Sequence, residues 1–324
     1  MPAPVALFAY NRPDHLRRTV AALAANELAA ETDLIVFSDG PRRERDKPGV
    51  ESVRAFVSGI QGFRSLEIHL QPRNLGLAQS IISGVTAVCE RFGRVIVLED
   101  DLETSRFFLR YMNEALDLYE NEPAVASIHG YTFPVRSELP ETFFIRGTDC
   151  WGWATWKRAW DILNPDGTAL LQELERRQLT HAFDLSGTVP NTQMLRDQIA
   201  GGDQWAVRWH ASAFLANMVT LFPAKSLVHN IGTDGTGVHC GPNRLLDVSV
   251  ATRPIRLEKI AIREDDSART AFQDFHRHNT PLRKVWALIR NESRLRTAWA
   301  LIRKIAPDAS AQTLSKRLPG DGID

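Results

Sequence analysis

Apolar and polar positions alternate along the chain up to about residue 130 in the manner of an α/β protein. Short runs rich in Val, Ile, Leu and Phe are separated by longer segments in which apolar residues recur with a helical period. Strands are predicted at Val5–Tyr10, Asp33–Ser38, Ser65–Leu70, Val95–Leu98 and Val125–His129. Helices are predicted at His15–Ala25, Glu51–Ile60, Asn74–Arg91 and Ser105–Glu120. This alternation favours a mostly parallel central sheet flanked by helices.

The pattern changes after Tyr131, where tryptophans become frequent and glycine-rich turns separate short segments. This part is predicted to form a less regular region over the carboxyl edge of the sheet. A third section begins near Ile262 and leads to a basic helix. We therefore divide the chain into an α/β half at residues 1–130, a second half of the same domain at 131–260, and a C-terminal helical appendage and tail at 261–324.

The appendage contains a repeated motif, Val285–Arg290 and Ala298–Arg303, within a basic amphipathic pattern. Such a helix can pack on the protein body or lie on an anionic membrane surface. No apolar run is long enough to span a bilayer, and the first residues lack the pattern of a signal peptide. We therefore expect a cytoplasmic protein, with peripheral contact at the inner membrane face as the second possibility for this helix.

Composition narrows the classes of partner. The chain of 324 residues is 44% hydrophobic and 24% charged, as in ordinary globular proteins. Its 39 basic residues equal its 39 acidic ones, which argues against a nucleic acid as partner. The three cysteines are widely spaced, which argues against a disulfide scaffold and fits a reducing compartment.

Three consecutive acids, Glu99, Asp100 and Asp101, follow the apolar run of the fourth predicted strand. Carboxylates crowded at the end of a buried strand repel one another and lose hydration, so they need a cation. Their hard oxygen ligands suit Mg²⁺ or Mn²⁺, which in turn suit a diphosphate. Helix capping is the structural alternative, although a cap needs one side chain and Ser105 could supply it. Alternation along an extended strand predicts Glu99 and Asp101 on one side and Asp100 on the other.

Polar residues follow the other predicted strands as well. They are Tyr10, Asn11, Arg12, Asp39, Arg73 and Asn74. Ligands of doubly wound sheets bind at the carboxyl ends of the strands, so these residues are expected to share one crevice. Tyr10 can border a base, Asp39 can accept hydrogen bonds from a base or ribose, and the guanidinium of Arg73 can reach a phosphate. Each position alone is explained equally well by a turn, and the recurrence at successive strand ends carries the signal.

Four segments carry a family resemblance: Phe8–Pro13, Phe37–Gly40, Arg73–Gly76 and Val97–Asp101. In this order they resemble the GT-A glycosyltransferases, closest to family 2-like enzymes, and the Glu-Asp-Asp variant resembles the metal motif of N-acetylglucosaminyltransferase I. The resemblance covers roughly Val5 to His239. It implies a Rossmann-like GT-A fold, a nucleotide-diphosphate sugar donor, Mn²⁺ or Mg²⁺, and transfer of the sugar to a hydroxyl of a glycan or glycolipid in polysaccharide biosynthesis.

The resemblance also implies roles for individual residues. Asp39 would contact the nucleobase or ribose, and Asp101 would bind the metal. The alternation along the strand, and not the resemblance, predicts that Asp100 meets the ribose or a metal-bound water. The second motif has a single Asp before Gly40 where family 2 enzymes often have two, so the base stays open, with a UDP-sugar as the favoured donor. Residues 1–130 would bind the nucleotide sugar, and residues 131–260 would bind the acceptor and supply the catalytic base.

Asp203 is the candidate catalytic base, because it follows two glycines and precedes a predicted helix. In family 2-like enzymes an acid at such a helix start deprotonates the acceptor. An alcohol is a poor nucleophile, and a positioned carboxylate can take its proton as the bond forms. Helix capping explains Asp203 about equally well, and Asp197 is a nearby rival for the catalytic role.

Two further segments offer site residues. Asp149–Trp156 joins tryptophans to a glycine turn, and Trp151 with its neighbours is predicted to pack against sugar C–H surfaces while Asp149 binds sugar hydroxyls. Core packing is the alternative for these tryptophans. The glycine-rich segment His229–His239 could close over the diphosphate. By resemblance to GT-A enzymes with a late histidine ligand, His239 would be a second metal ligand.

The favoured function is therefore an inverting, metal-dependent glycosyltransferase. A nucleotidyltransferase acting on a sugar phosphate is one alternative, although it normally has a Gly-rich basic first loop that Asn11–Asp14 does not supply. A non-catalytic sugar-nucleotide or glycan-binding module is a second alternative. A retaining transferase is a third.

Overall fold

The computed structural model describes residues 1–202, 204–234 and 244–279. The chain divides between Gln273 and Asp274, and the described residues up to Gln273 form one compact unit. This unit is built around an eight-stranded mixed sheet with the strand order β3-β2-β1-β4-β8-β6-β9-β7. β5 and β10 form a separate two-stranded antiparallel sheet.

The strands of the large sheet are β1 (Val5–Ala9), β2 (Asp33–Ser38), β3 (Ser65–Leu70), β4 (Arg94–Glu99), β6 (Val125–His129), β7 (Thr142–Arg146), β8 (Trp153–Trp156) and β9 (Val219–Pro223). The small sheet contains β5 (Leu102–Thr104) and β10 (Val228–Asn230). The helices are α1 (Pro13–Ala24), α2 (Lys47–Val57), α3 (Leu77–Phe92), α4 (Phe108–Leu118), α5 (Lys157–Trp160), α6 (Gly167–Arg176), α7 (Thr180–Phe183), α8 (Asn191–Ile199), α9 (Ala206–Leu215) and α10 (Asp266–Asn279).

The first four strands of the large sheet form its parallel half. β1 pairs in parallel with β2 on one side and with β4 on the other, and β3 extends the sheet beyond β2. Every residue of β1 is buried, as expected for a strand covered on both faces, which explains its unbroken apolar sequence. The predicted α/β fold with a large central sheet flanked by helices is confirmed. All five predicted strands are present.

One close helix–sheet contact depends on a glycine. A Cβ added to Gly84, in the middle of α3, would lie 2.6 Å from Cε1 of the Phe8 ring on β1. Phe8 in turn stacks on Phe37 of β2, with ring centroids 5.0 Å apart. Only a residue without a side chain lets α3 approach this aromatic pair. The approach keeps the start of α3 next to the carboxyl ends of β1 and β2.

The part of the chain after Tyr131 is more regular than its sequence predicts. β8 lies between β4 and β6 and is antiparallel to both, while β9 is parallel to β6 and β7 closes the edge. The predicted irregular region therefore completes the central sheet. The sequence pattern missed these strands because they are short and because β8 (Trp153–Trp156) is buried at every position, so it shows no alternation.

Helices α6 to α9 pack around a separate apolar cluster that includes Leu174, Phe183, Leu195 and Phe214. Val207 of α9 belongs to this cluster and also lines the cleft described below, so the cluster supports one side of that cleft. Among the described residues, no helix has both the length and the apolar character needed to cross a bilayer. The predicted basic helix lies outside the described residues, and the predicted boundary at residue 261 stays a prediction.

Candidate functional site

A cleft of about 460 Å³ opens at the carboxyl ends of β1, β2 and β4. It collects residues that are far apart in the chain, because parallel strands end at the same edge of a sheet. The predicted site residues that line it are Tyr10, Asn11, Arg12, Asp39, Asn74, Glu99, Asp100, Asp101 and Trp151. The predicted crevice is therefore present, while the role of each residue in ligand binding stays a prediction.

The carboxylate of Asp39 is fully used by the protein itself. Its Oδ1 accepts hydrogen bonds from the backbone N–H groups of Gly40 and Leu75, both at 2.8 Å. Its Oδ2 accepts from Nδ2 of Asn74 at 2.9 Å and from the backbone N–H of Gly76 at 3.0 Å. Asp39 is only 7% exposed. In this conformation Asp39 organises the loop before α3, so a contact with a base or ribose would have to share these oxygens.

Tyr10 links two segments of the cleft. Its hydroxyl donates to Oδ2 of Asp46 at 2.9 Å and accepts from the backbone N–H of Arg42 at 2.9 Å. Its own backbone N–H donates to Oδ2 of Asp100 at 3.1 Å. Burial raises the pKa of the Tyr10 hydroxyl, and the hydrogen bond to Asp46 adds to this effect. The Tyr10 ring is therefore held at the cleft wall as an uncharged phenol at neutral pH.

Arg12 bridges two of the three acids. Its Nη2 donates to Oδ1 of Asp100 and to Oδ2 of Asp101, the second at 2.9 Å. The prediction that Asp100 and Asp101 point to opposite sides was wrong. β4 ends at Glu99, and residues 100 and 101 form a turn. Strict alternation applies only to extended backbone, so both carboxylates can turn toward the same guanidinium.

The acids have strongly perturbed electrostatics. Burial raises the pKa of Glu99, and the charges of Asp101 and Asp100 raise it further. Burial also raises the pKa of Asp100, against the opposing effect of Arg12. For Arg12, burial alone would lower the pKa, but the charges of Asp100 and Asp101 outweigh burial and raise it. One guanidinium therefore faces three acids, and because burial favours the neutral forms of Glu99 and Asp100, a further cation beside them would stabilise their charged forms.

The carboxylate oxygens of this cluster are suitable ligands for a hard divalent cation. Carboxylate oxygens are the ligands that Mg²⁺ and Mn²⁺ prefer, and the side chain of Asp101 is 15% exposed and faces the cleft. The described residues contain no group of three or more His, Cys, Asp or Glu side chains placed to hold a metal ion. His239, the predicted second ligand, lies outside the described residues, as does Asp203, the predicted catalytic base.

Two predicted site residues do not line the cleft. Arg73 is exposed, and its backbone instead packs against Gly40, where an added Cβ would lie 2.5 Å from the Arg73 carbonyl carbon. Asp149 caps its own turn, because Oδ1 accepts from the backbone N–H of Cys150 at 2.7 Å. Its Oδ2 lies 3.8 Å from Nε2 of the buried His129. Both residues neighbour the cleft, and neither is among the residues that form its wall.

The tryptophans divide into two groups. Trp151 and Trp205 line the cleft together with Cys150 and Met194. Trp153 is fully buried and packs against Trp205 with ring centroids 5.8 Å apart. The other buried members of this core cluster are Trp156, Trp160 and Trp209. Of the tryptophans in the predicted wall, Trp151 lines the cleft, whereas Trp153 and Trp156 belong to the core.

Some cleft residues were missed at the sequence level. Arg42 lies in a polar loop without any periodic pattern, and it lines the cleft with its backbone N–H bonded to the Tyr10 hydroxyl. Gly232 lies so close to Asp101 that an added Cβ would collide with Oδ2 of that carboxylate. The antiparallel pairing of β10 with β5 brings it there, since Asn230 pairs with Leu102. The only sequence feature that could have indicated Gly232 as a cleft residue was its position in the glycine-rich segment His229–His239.

Comparisons with known proteins give only distant similarities. No model of a protein family matches the sequence, and no curated protein matches it. A mannosyltransferase from Pyrobaculum calidifontis, PcManGT in complex with GDP-Man and Mn²⁺, is similar at 13% identity over 66% of this chain and 72% of that chain, with a TM-score of 0.35.

Structures of TarS from S. aureus are similar as well. One covers 44% of this chain and 23% of that chain at 14% identity, with a TM-score of 0.29. A second, of TarS 1–349 in complex with UDP, covers 54% of this chain and 49% of that chain at 14% identity, with a TM-score of 0.33. This chain thus spans about a quarter and about half of the two TarS chains. At these TM-scores the function has to be argued from the residues of the cleft.

Proposed function

We propose that this protein is a metal-dependent glycosyltransferase that moves a sugar from a nucleotide-diphosphate donor to a hydroxyl of a glycan or glycolipid, with inversion at the anomeric carbon. One observation carries the proposal. A single cleft joins the carboxyl ends of three parallel strands, an acidic cluster whose charged forms a cation would stabilise, and an aromatic wall. A nucleotide diphosphate, a cation and a sugar are the three chemical groups that these parts suit.

The strand-end side of the cleft suits the nucleotide. The ring of Tyr10 borders it and can face a base. Phe37 also borders the cleft, but its ring is stacked between Phe8 and His69. Arg12 and Arg42 also line it, and the guanidinium of arginine binds phosphate oxygens well. We assign the diphosphate to these two arginines in preference to Arg73, because Arg73 lies outside the cleft wall. A UDP-sugar is the favoured donor.

The acidic cluster suits the cation. Asp101 would supply a carboxylate oxygen to Mn²⁺ or Mg²⁺, and His239 would be the second protein ligand. When bound, such a cation neutralises the negative charge that develops on the departing nucleotide diphosphate. Asp100, 3% exposed and bonded to Tyr10 and Arg12, is better suited to position Arg12 than to contact the donor directly.

The opposite wall suits the sugars. Trp151 offers an aromatic face for C–H surfaces, and Trp205 and Met194 extend the apolar lining. Asp203 would take the proton from the attacking acceptor hydroxyl while that oxygen forms its bond to the anomeric carbon. The bond from the anomeric carbon to the diphosphate oxygen breaks in the same displacement, and the nucleotide diphosphate leaves.

The direct test is thermal stabilisation by a panel of nucleotide sugars, each with and without Mn²⁺. A ligand at a hundred times its Kd stabilises a protein by about 2.7 kcal/mol, so a specific donor should raise Tm visibly. UDP- and GDP-sugars are tested first. In Asp101→Ala, the part of the rise in Tm that depends on Mn²⁺ should be lost. Asp14→Ala is the matched control, because that side chain is 90% exposed and remote from the cleft lining.

Product analysis separates the alternatives. A transferase releases a nucleoside diphosphate, and NMR of the product anomer distinguishes inversion from retention. Release of pyrophosphate from a nucleoside triphosphate and a sugar phosphate would identify a nucleotidyltransferase instead. Donor binding without any transfer or hydrolysis would identify a binding module. Absence of stabilisation by every nucleotide sugar, with and without Mn²⁺, would refute the proposal.

A further inference from the structure

Arg12 holds the two acids at the end of β4 in different ways. Asp100 is only 3% exposed, and its two oxygens accept separately, one from Arg12 and one from the Tyr10 backbone. Asp101 is more accessible, and its described hydrogen bond joins Oδ2 to Arg12 Nη2 at 2.9 Å. The contact to Asp100 is therefore part of a buried hydrogen-bond network that includes the Tyr10 backbone. The contact to Asp101 lies at the cleft surface, where a ligand can compete with it.

Arg12 already contacts the carboxylate that we assign to the cation. Its Nη2 donates to Oδ2 of Asp101, and the backbone of Gly232 also lies close to that oxygen. A guanidinium and a divalent cation repel each other at short range, so Arg12 opposes the binding of a metal ion at Asp101. The arginine and a metal ion therefore compete for Asp101.

The diphosphate of a bound nucleotide would offer Arg12 an alternative anionic partner. Its side chain is 21% exposed and lines the cleft that we assign to the nucleotide. Guanidinium forms bidentate contacts with phosphate oxygens, whereas here one nitrogen serves both acids. A diphosphate that enters the cleft can therefore draw the Arg12 guanidinium away from Asp101. The positive charge of Arg12 then stays paired with a negative charge.

We propose that Arg12 is an internal counter-ion that occupies Asp101 in the nucleotide-free protein and transfers to the diphosphate when the nucleotide binds, so that Asp101 becomes available to the metal. The inference rests on the proposed function. It makes metal binding depend on nucleotide binding, and by linkage each ligand then raises the affinity for the other. Direct ligation of the metal by the diphosphate also couples the two ligands, so the test has to isolate the contribution of Arg12.

The contribution of Arg12 is isolated by measuring Mn²⁺ binding in the absence of nucleotide. Mn²⁺ is titrated into the full-length protein, and the free ion is measured by electron paramagnetic resonance. Arg12→Gln should bind Mn²⁺ about tenfold more tightly than the wild type, because a repelling cation has left the site. Asp101→Asn in the Arg12→Gln background should remove the gain. Arg17→Gln should match the wild type, since Arg17 lies on α1, which begins directly after Arg12, and pairs with the exposed Asp14.

A second experiment measures nucleotide binding. Calorimetric binding of UDP and GDP without metal should weaken in Arg12→Gln, because the diphosphate loses its cationic partner. Arg12→Lys retains the charge without the planar fork, and its gain in Mn²⁺ affinity should be smaller than that of Arg12→Gln. It also provides the test if Arg12→Gln does not fold, because any displacement of the guanidinium from Asp101 should still tighten Mn²⁺ binding relative to the wild type.

The outcomes separate this inference from the proposed function. Equal Mn²⁺ affinity of the wild type and both Arg12 variants overturns the counter-ion role, yet leaves the glycosyltransferase proposal intact if nucleotide and Mn²⁺ still bind together. Failure of Mn²⁺ to bind the wild type even with saturating UDP or GDP overturns both. Tighter Mn²⁺ binding by Arg12→Gln, lost again with Asp101→Asn, supports the inference.

Discussion

The side-chain amide of Asn74 donates a hydrogen bond of 2.9 Å to Oδ2 of Asp39. This contact joins the end of β2 to the loop that leads into α3. The same amide also donates to the carbonyl oxygen of Gly40 at 2.9 Å. The loop is therefore fixed before any ligand arrives, and the conformation of one cleft wall depends on a single buried carboxylate.

Asp39→Asn should destabilise the protein although it changes the size of the side chain very little. Each oxygen of Asp39 accepts two hydrogen bonds, so replacing either one by NH₂ turns two acceptor contacts into donor–donor contacts. Loss of two such bonds at a buried site should cost about 2–4 kcal/mol of unfolding free energy. Urea denaturation followed by circular dichroism measures the difference.

Asp14→Asn is the control for that experiment, because Asp14 is 90% exposed and pairs only at the surface with Arg17. Surface ion pairs contribute about 0–1 kcal/mol, so this variant should unfold close to the wild type. If Asp39→Asn also unfolds at the wild-type urea concentration, the carboxylate does not organise the loop as described, and its oxygens are available to a ligand.

Trp153 and Trp151 should respond differently to truncation, although only Gly152 separates them. Trp153 is fully buried in the tryptophan cluster, so Trp153→Ala should cost about 3–5 kcal/mol of unfolding free energy. Trp151 lines the cleft and makes an edge contact with Tyr131 at 4.8 Å between centroids. Trp151→Ala should cost about 1–2 kcal/mol, and it should raise KM for acceptor or donor.

Chemical denaturation and steady-state kinetics on both variants check this contrast. A large stability loss in Trp151→Ala with unchanged KM would contradict its placement as a cleft residue. A mild effect of Trp153→Ala on stability would contradict its place in the core.

His129 should make the protein sensitive to mild acid. Burial lowers the pKa of His129 to about 4, against a weaker opposing effect of Asp149. In the unfolded chain a histidine titrates at about 6.5. Between these values the unfolded state binds more protons than the folded state, so stability falls as pH falls through this window. His129 is therefore neutral at pH 7, and its 3.8 Å approach to Asp149 is not a salt bridge there.

His129→Phe should remove this acid sensitivity. The ring already packs on Phe222 with centroids 4.8 Å apart, so an apolar ring suits the site. The stability difference between pH 6.5 and pH 4.5 should shrink by about 2–3 kcal/mol, at about 1.4 kcal/mol per pH unit. His181→Gln is the matched control, because His181 is exposed. Parallel stability–pH curves for the wild type and His129→Phe would contradict the prediction.

Asp203→Asn should reduce turnover while leaving donor binding nearly unchanged. A general base that takes the acceptor proton contributes about 10²–10⁴-fold to the rate, so kcat should fall by a factor in this range. The structure makes Asp197 the natural comparison. Asp197 is exposed, its Oδ1 accepts from Gln193 Nε2 at 2.8 Å, and it is not among the cleft residues.

Asp197→Asn should therefore retain kcat. Steady-state rates with saturating donor, together with donor binding measured by calorimetry, decide between the two acids. If turnover is lost in Asp197→Asn and retained in Asp203→Asn, the base has been assigned to the wrong residue.

The sequence by itself determined the parallel half of the sheet and the position of the acids. Apolar runs such as Val5–Ala9 are buried on both faces, so composition alone identifies them as strands. Polar residues directly after such strands must lie at one edge, which is why Tyr10, Asp39 and Asp101 could be expected in one cleft. These inferences use local periodicity and one topological rule.

Only the tertiary structure decided which partner each polar group finds. Asp39 bonds to residues at positions 74 to 76, Arg12 bonds to Asp100 and Asp101, and β8 inserts between β4 and β6. These contacts join segments distant in the chain, and their geometry depends on the packing of the whole sheet. Local sequence patterns report burial and period, but the pairing of charges and hydrogen bonds depends on which segments the folded chain brings within about 3 Å of each other.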